Sequence, residues 1–107
     1  MIVHLVLFRL RPGVERDDRR LVAAVAALEH LPASIPLIRS WQHGFNLTAD
    51  AEAWDYGLRA EFADETDLHE YFDHPAHLPV VGQWQEIAEL AFADFQSERR
   101  TPEERKP

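Results

Sequence analysis

Cysteine is missing from all 107 residues, and that absence excludes disulfides, thiolate zinc sites, iron–sulfur clusters and a cysteine nucleophile. Positive charge is also in short supply. The 11 lysines and arginines face 19 aspartates and glutamates, for a net charge of −8, and they are scattered or gathered near the C-terminus. A phosphate-backbone binder needs a clustered basic surface, so no nucleic-acid partner is expected. Long hydrophobic runs are absent too. Ile2–Leu10 is too short to cross a bilayer and lacks the basic start and small-residue cleavage site of a secretory signal, so the expectation is a cytoplasmic protein with no membrane partner. Ser34, Ser40 and Ser97 stand in no elbow motif that would make one of them a nucleophile.

What is present suffices for one folded domain. A chain that is 46% hydrophobic and 10% aromatic can build a modest core, and its small size makes self-association an economical way to enlarge it. The domain is expected over residues 1–97. The charged, proline-terminated stretch 98–107 is expected to be a disordered tail.

The apolar run Ile2–Leu10, closed by Arg11-Pro12-Gly13, predicts a buried strand with His4, Val6, Phe8 and Leu10 on one face. Leu21, Val22, Val25, Ala26 and Leu28 recur at helical spacing, which predicts an amphipathic helix over 15–30. Asp17 and Asp18 sit in its first turn, and Leu31-Pro32 breaks it. Residues 35–47 predict a second strand ending near Gly44 or Asn46. Trp54, Tyr56, Leu58, Ala60 and Phe62 then alternate with Asp55, Gly57, Arg59 and Glu61 in a third. Asp64, with Asp67 three residues on, is a plausible N-cap for a short helix through Leu68, Tyr71 and Phe72. A further helix is expected over 75–90, re-bent at Pro79, and a last short strand over 91–95.

This order predicts an α+β fold of the ferredoxin-like, split βαβ kind, a four-stranded antiparallel sheet with helices on one face. The other face must be solvated or covered by a second chain, and a homodimer of two such sheets meets that need.

Chemistry is concentrated in Tyr71-Phe72-Asp73-His74-Pro75-Ala76-His77. Proline fixes its own φ and pushes His74 out of the α region, so one helix should end near His74 and another begin at Pro75. His77 then falls in a first helical turn, where free N–H groups and the dipole lower an imidazole pKa and leave a neutral proton acceptor. No metal and no cofactor are expected. His30, His43 and His69 lie in separate elements, and His74 and His77, three apart, lack an evident acidic third ligand.

Taken together, several blocks of the chain resemble the stress-responsive dimeric α/β-barrel (Dabb) family from about Ile2 to Phe95. The blocks are the opening Ile2-Val3-His4-Leu5-Val6-Leu7-Phe8-Arg9-Leu10-Arg11-Pro12-Gly13, Ile35-Pro36 followed by Gly44, Glu61-Phe62-Ala63-Asp64, His74-Pro75-Ala76-His77 and the closing Asp94-Phe95. The resemblance implies a homodimer whose two sheets close into a barrel, with a small apolar cavity in each subunit. A plant polyketide cyclase branch of the family performs an aldol cyclisation without metal or cofactor. On this chain its catalytic roles fall on His4, Tyr71 and His77, with Tyr56 in place of a further pocket histidine.

The candidates for contact with a small apolar, aromatic or polyketide-like ligand are Phe8, Trp41, Tyr56 and His74, with Trp54 and Trp84 as further aromatic choices. Each aromatic can equally be core packing. The histidines also have a plainer reading, in which His4 pins strand to helix by bonding His77 or a backbone carbonyl and the protein is a non-enzymatic stress-response or structural dimer. Related dimeric barrels include cofactor-independent monooxygenases, but no residue here singles out oxidation.

Overall fold

The computed structural model describes residues 1–98, and the remainder of the expected tail, 99–107, lies outside the described residues. The elements are β1 (Ile2–Leu10), α1 (Arg19–Ser34), β2 (Ser40–Phe45), β3 (Tyr56–Phe62), α2 (Glu65–Asp73), α3 (Leu78–Gln85) and β4 (Ala88–Gln96). The four strands form one antiparallel sheet in the order β2-β3-β1-β4, a ferredoxin-like arrangement with the helices packed on one face. Among the described residues no helix is long and apolar enough to cross a membrane.

Period-two alternation sorts the sheet into two faces. Ile2, His4, Val6 and Phe8 of β1 point to the helices with Tyr56, Leu58, Ala60 and Phe62 of β3, and all eight are buried. Leu21, Ala24, Leu28 and Leu31 of α1, Leu68 and Tyr71 of α2, and Val80 and Trp84 of α3 close over them. Burying a large side chain such as Phe62 or Trp84 contributes roughly 1.5–3 kcal/mol. The opposite face is open. Leu5, Leu7, Gly44, Gly57, Ala91 and Ala93, with Gln42 and Arg59, line a shallow apolar groove of about 600 Å³ there.

Several element boundaries differ from the sequence expectation, most of them for a local reason. Helix α1 runs through Pro32 instead of stopping before it. Proline has no N–H for the carbonyl of Leu28 four residues earlier, and the indole Nε1–H of Trp41 on β2 donates to that oxygen instead, at 3.0 Å. Strand β2 begins only at Ser40, because a turn from Ile35 to Ile38 intervenes. The start of β3 moves to Tyr56 because Asp55 is held across the sheet end: its Oδ2 accepts from the Leu10 N–H at 2.7 Å and its own N–H donates to the Phe8 carbonyl. The helix expected from Pro75 begins at Leu78. His74 to His77 form a tight turn in which the Ala76 N–H donates to Nδ1 of His74, placing His77 at the N-cap. That helix ends at Gln85, and β4 starts at Ala88, earlier than expected.

Asp64 caps α2 as the sequence predicts, accepting from the Asp67 N–H at 2.8 Å. Helix α1 begins at Arg19, later than expected, and Asp18 is its N-cap instead of lying in its first turn, accepting from the Arg20 N–H at 2.9 Å.

Candidate active site

Three elements converge on one point beneath the sheet. Alternation along β1 turns His4 toward the helices, where its residue is only 4% exposed. The antiparallel register sets Asp94 of β4 opposite it, and Nδ1 of His4 is in hydrogen-bond contact with Oδ1 of Asp94. A carboxylate accepts, so Nδ1 carries the proton and Nε2 is the ring nitrogen left for a ligand. His77 arrives from the turn before α3. Its Nδ1 lies 3.1 Å from the carbonyl oxygen of Phe72, which can only accept, so here too Nδ1 is protonated and Nε2 keeps a lone pair. Burial holds the pKa of His77 below its ordinary 6.5. Positive charge at His4 and His74 acts in the same direction, and the Phe72 carbonyl opposes both. His77 is therefore neutral at pH 7.

Tyr71 of α2 packs its ring against His77, with centroids 4.1 Å apart, and stands edge-on to His4 at 5.7 Å. Burial, reinforced by the negative charge of Asp94, raises its phenol pKa, so the group remains an O–H donor. Phe72 completes the aromatic side, 5.4 Å from His4 between centroids.

These residues surround a cavity of about 280 Å³ lined by His4, Val6, Phe72, His77, Val81, Leu90 and Phe92. It shares His4, Val6, His77, Val81 and Leu90 with an inner void of about 40 Å³, which Phe8, Leu28, Leu58, Tyr71 and Trp84 also wall. The lining is apolar apart from the two imidazoles, the phenol and the Trp84 indole. That composition suits a small, mostly apolar molecule held by a few polar contacts. Among the described residues no group of three or more histidine, aspartate or glutamate side chains is placed to hold a metal ion.

His4, Tyr71, His77, Phe8 and Trp84 thus come together around the cavity and its inner void. Trp41, Tyr56 and His74 lie outside both linings. Trp41 is tied to the Leu28 carbonyl. The Tyr56 hydroxyl lies 2.6 Å from Nδ1 of His43, while its ring packs on Phe45 and Trp84. His74 holds the turn together and borders an open surface with Thr66, His69 and Asp73. Asp94 was not among the sequence candidates as a site residue. The signal available for it was a lone carboxylate in an apolar final strand, whose pairing with His4 becomes visible only through the β1–β4 register.

Comparison with known proteins places this geometry in context. The sequence model of the Stress responsive A/B Barrel Domain matches residues 2–97. An uncharacterized protein of Streptomyces coelicolor is 38% identical over 96 residues, covering 90% of this chain and 99% of its own length. A crystal structure from Bacteroides fragilis, of a dimeric protein of unknown function with a ferredoxin-like fold, is 33% identical with a TM-score of 0.76. It covers 90% of this chain and 95% of that one. The hydroxynitrile lyase of Passiflora edulis superposes with a TM-score of 0.80, covering 94% of this chain and 96% of the lyase, and at 15% identity this likeness concerns the fold alone.

Proposed function

Because this chain belongs to the stress-responsive A/B barrel (Dabb) family, we propose that it is a cytoplasmic homodimer that binds a small apolar or polyketide-like ligand between sheet and helices. Its folded unit is residues 1–97, and its chemistry is cofactor-free proton transfer at an acidic carbon, of the aldol-cyclase or isomerase type. One observation carries the reading. His77 is tied through Nδ1 to the Phe72 carbonyl, is kept neutral by burial and walls an apolar cavity together with the His4–Asp94 pair.

In this mechanism Nε2 of His77 takes a proton from a methylene flanked by carbonyls. Such protons are acidic enough that a general base contributing roughly 10²–10⁴-fold suffices. The enolate then adds to a second carbonyl of the same chain, and the new alkoxide recovers the proton. His4, when protonated, donates from Nε2 to the carbonyl oxygen on which charge develops, while Asp94 holds the ring and offsets its charge. Tyr71 donates its O–H to substrate. The apolar walls keep water from the enolate.

Two observations support the homodimer. The Bacteroides relative is dimeric, and the open sheet face carries an apolar groove in which Gly44, Gly57, Ala91 and Ala93 leave room for a second sheet. Association through that face couples stability to concentration, so the melting temperature should rise with protein concentration, and one unchanged over a hundredfold dilution counts against the dimer.

The test is binding and turnover of a triketide thioester by the wild type and by His77→Ala, followed by tryptophan fluorescence and product formation. Turnover in the wild type that vanishes in the variant is the expected result. Binding without turnover would make the protein a carrier, and no binding would leave the non-enzymatic dimer.

A further inference from the structure

Trp84, which walls the inner void, carries a donor that no protein atom uses. Trp84 is 1% exposed, and its buried indole Nε1–H meets no hydrogen-bond acceptor. The indole of Trp41, by contrast, has a partner in the carbonyl of Leu28, a residue that also walls the void. Phe8 and Tyr56 pack on Trp84 with ring centroids 4.3 and 5.3 Å away. Neither serves as its acceptor: phenylalanine has none, and the Tyr56 hydroxyl, which donates to His43, does not pair with it. Tyr71 also walls the void, and its hydroxyl likewise makes no hydrogen bond within the described residues. The inner end therefore combines two unused donors, Trp84 Nε1–H and Tyr71 O–H, with an otherwise apolar wall of Val6, Phe8, Leu28 and Leu58. A buried donor left unpaired destabilises the fold, and a binding site commonly satisfies such a group with its ligand.

We infer that the inner void receives a hydrogen-bond acceptor on the ligand, a carbonyl oxygen, and that Trp84 determines specificity by donating to it. This rests on the reading of the His4–His77 cavity as a ligand site and adds to it which end of the molecule goes in first. A β-polyketone fits, because a carbonyl recurs at every second carbon. One oxygen can sit at Trp84 while a methylene farther out along the chain meets His77. A plain alkyl tail would fill the void and leave both donors unpaired. A site built to hydrogen-bond a group rejects the analogue lacking it more strongly than an apolar pocket rejects an added one.

The experiment compares heptane-2,4-dione with heptane-2,4,6-trione, two ligands of equal chain length that differ by one carbonyl, by calorimetry on the wild-type protein and on Trp84→Phe. The indole N–H resonances are followed in the same titrations, with that of Trp84 assigned from the variant. The expected result is that the trione binds the wild type about tenfold more tightly, that the advantage disappears in Trp84→Phe, and that the Trp84 resonance moves downfield with the trione only. Equal affinity for the dione and the trione, or an advantage that survives in the variant, overturns the inference while leaving the cavity as a ligand site. A Trp84 N–H that keeps a long-lived water contact with either ligand bound also overturns it, since a resident water would then be its partner. Binding of neither compound would overturn the inference and the ligand-site reading together.

Discussion

Two histidine clusters lie under the same sheet and differ in one respect. His43 on β2 has both ring nitrogens engaged: Nδ1 accepts from the Tyr56 hydroxyl at 2.6 Å, and Nε2 donates to Glu29 of α1 at 2.8 Å. His4 and His77 each have one nitrogen engaged, by Asp94 and by the Phe72 carbonyl, and their other nitrogen is left over at a cavity. All three rings are held in place by neighbours, so immobility does not distinguish them. What distinguishes them is unspent hydrogen-bonding capacity. A ring satisfied on both sides joins helix, strand and core, whereas a ring satisfied on one side is oriented by the protein and still available to another molecule.

The largest effect that would test this contrast is on rate. His77→Ala should lower turnover of a triketide thioester by about 10²–10⁴-fold. A variant that keeps its activity would show that the leftover nitrogen of His77 serves no catalysis.

The converse belongs to His43. His43→Leu should cost about 2–3 kcal/mol in urea unfolding, because it strands the Tyr56 hydroxyl and removes a hydrogen bond to a carboxylate. Ligand affinity should stay within a factor of two. If affinity falls tenfold instead, the two clusters are one system and the distinction fails.

pH sharpens the comparison further. The folded-state pKa of His77 lies below 6.5, so on acidification the unfolded chain takes up its proton before the folded chain does. The His77 contribution to stability is present above pH 6.5 and is lost as pH falls from there toward the folded value. Turnover should fall over an acid limb with its midpoint below 6.5. Comparing urea unfolding of the wild type and His77→Gln between pH 7 and 5 isolates the stability part, and a slope shared by both proteins would assign it to other groups.

The smallest effect concerns the Trp41 hydrogen bond between β2 and α1. Trp41→Phe removes the donor to the Leu28 carbonyl and should cost about 1 kcal/mol. Thermal unfolding should show a loss of that size without a change in ligand binding.

The fold was legible where a signal is local. Alternation from Trp54 to Phe62 named the inward face of β3, Asp64 capped α2 as its sequence suggests, and the element order implied the sheet. What could not be read depended on partners far along the chain. Helix α1 passes Pro32 because a residue 13 positions from Leu28 supplies the missing bond. Asp94 meets His4 across 90 residues, through a register that no local pattern encodes. In the candidate site, proline and the short spacing from Tyr71 to His77 marked a segment that borders the cavity, and His4 shares the inward face with Phe8. Trp41 and Tyr56 have the composition of pocket residues, but their polar atoms are claimed by Leu28 and His43. Aromatic character alone does not reveal which polar atom is already taken.

The bond between Trp41 and Leu28 also bears on the order in which the chain assembles. Before β2 docks, α1 can wind only with one carbonyl of its C-terminal half facing nothing but solvent, and that carbonyl belongs to a residue destined for the core. The Leu28 carbonyl therefore exchanges water for a protein donor only when the strand arrives. A transition state with α1 fully formed and β2 still detached carries an unpaired acceptor at Leu28, so the C-terminal turns of α1 should become protected from amide exchange together with β2 and later than its N-terminal turns.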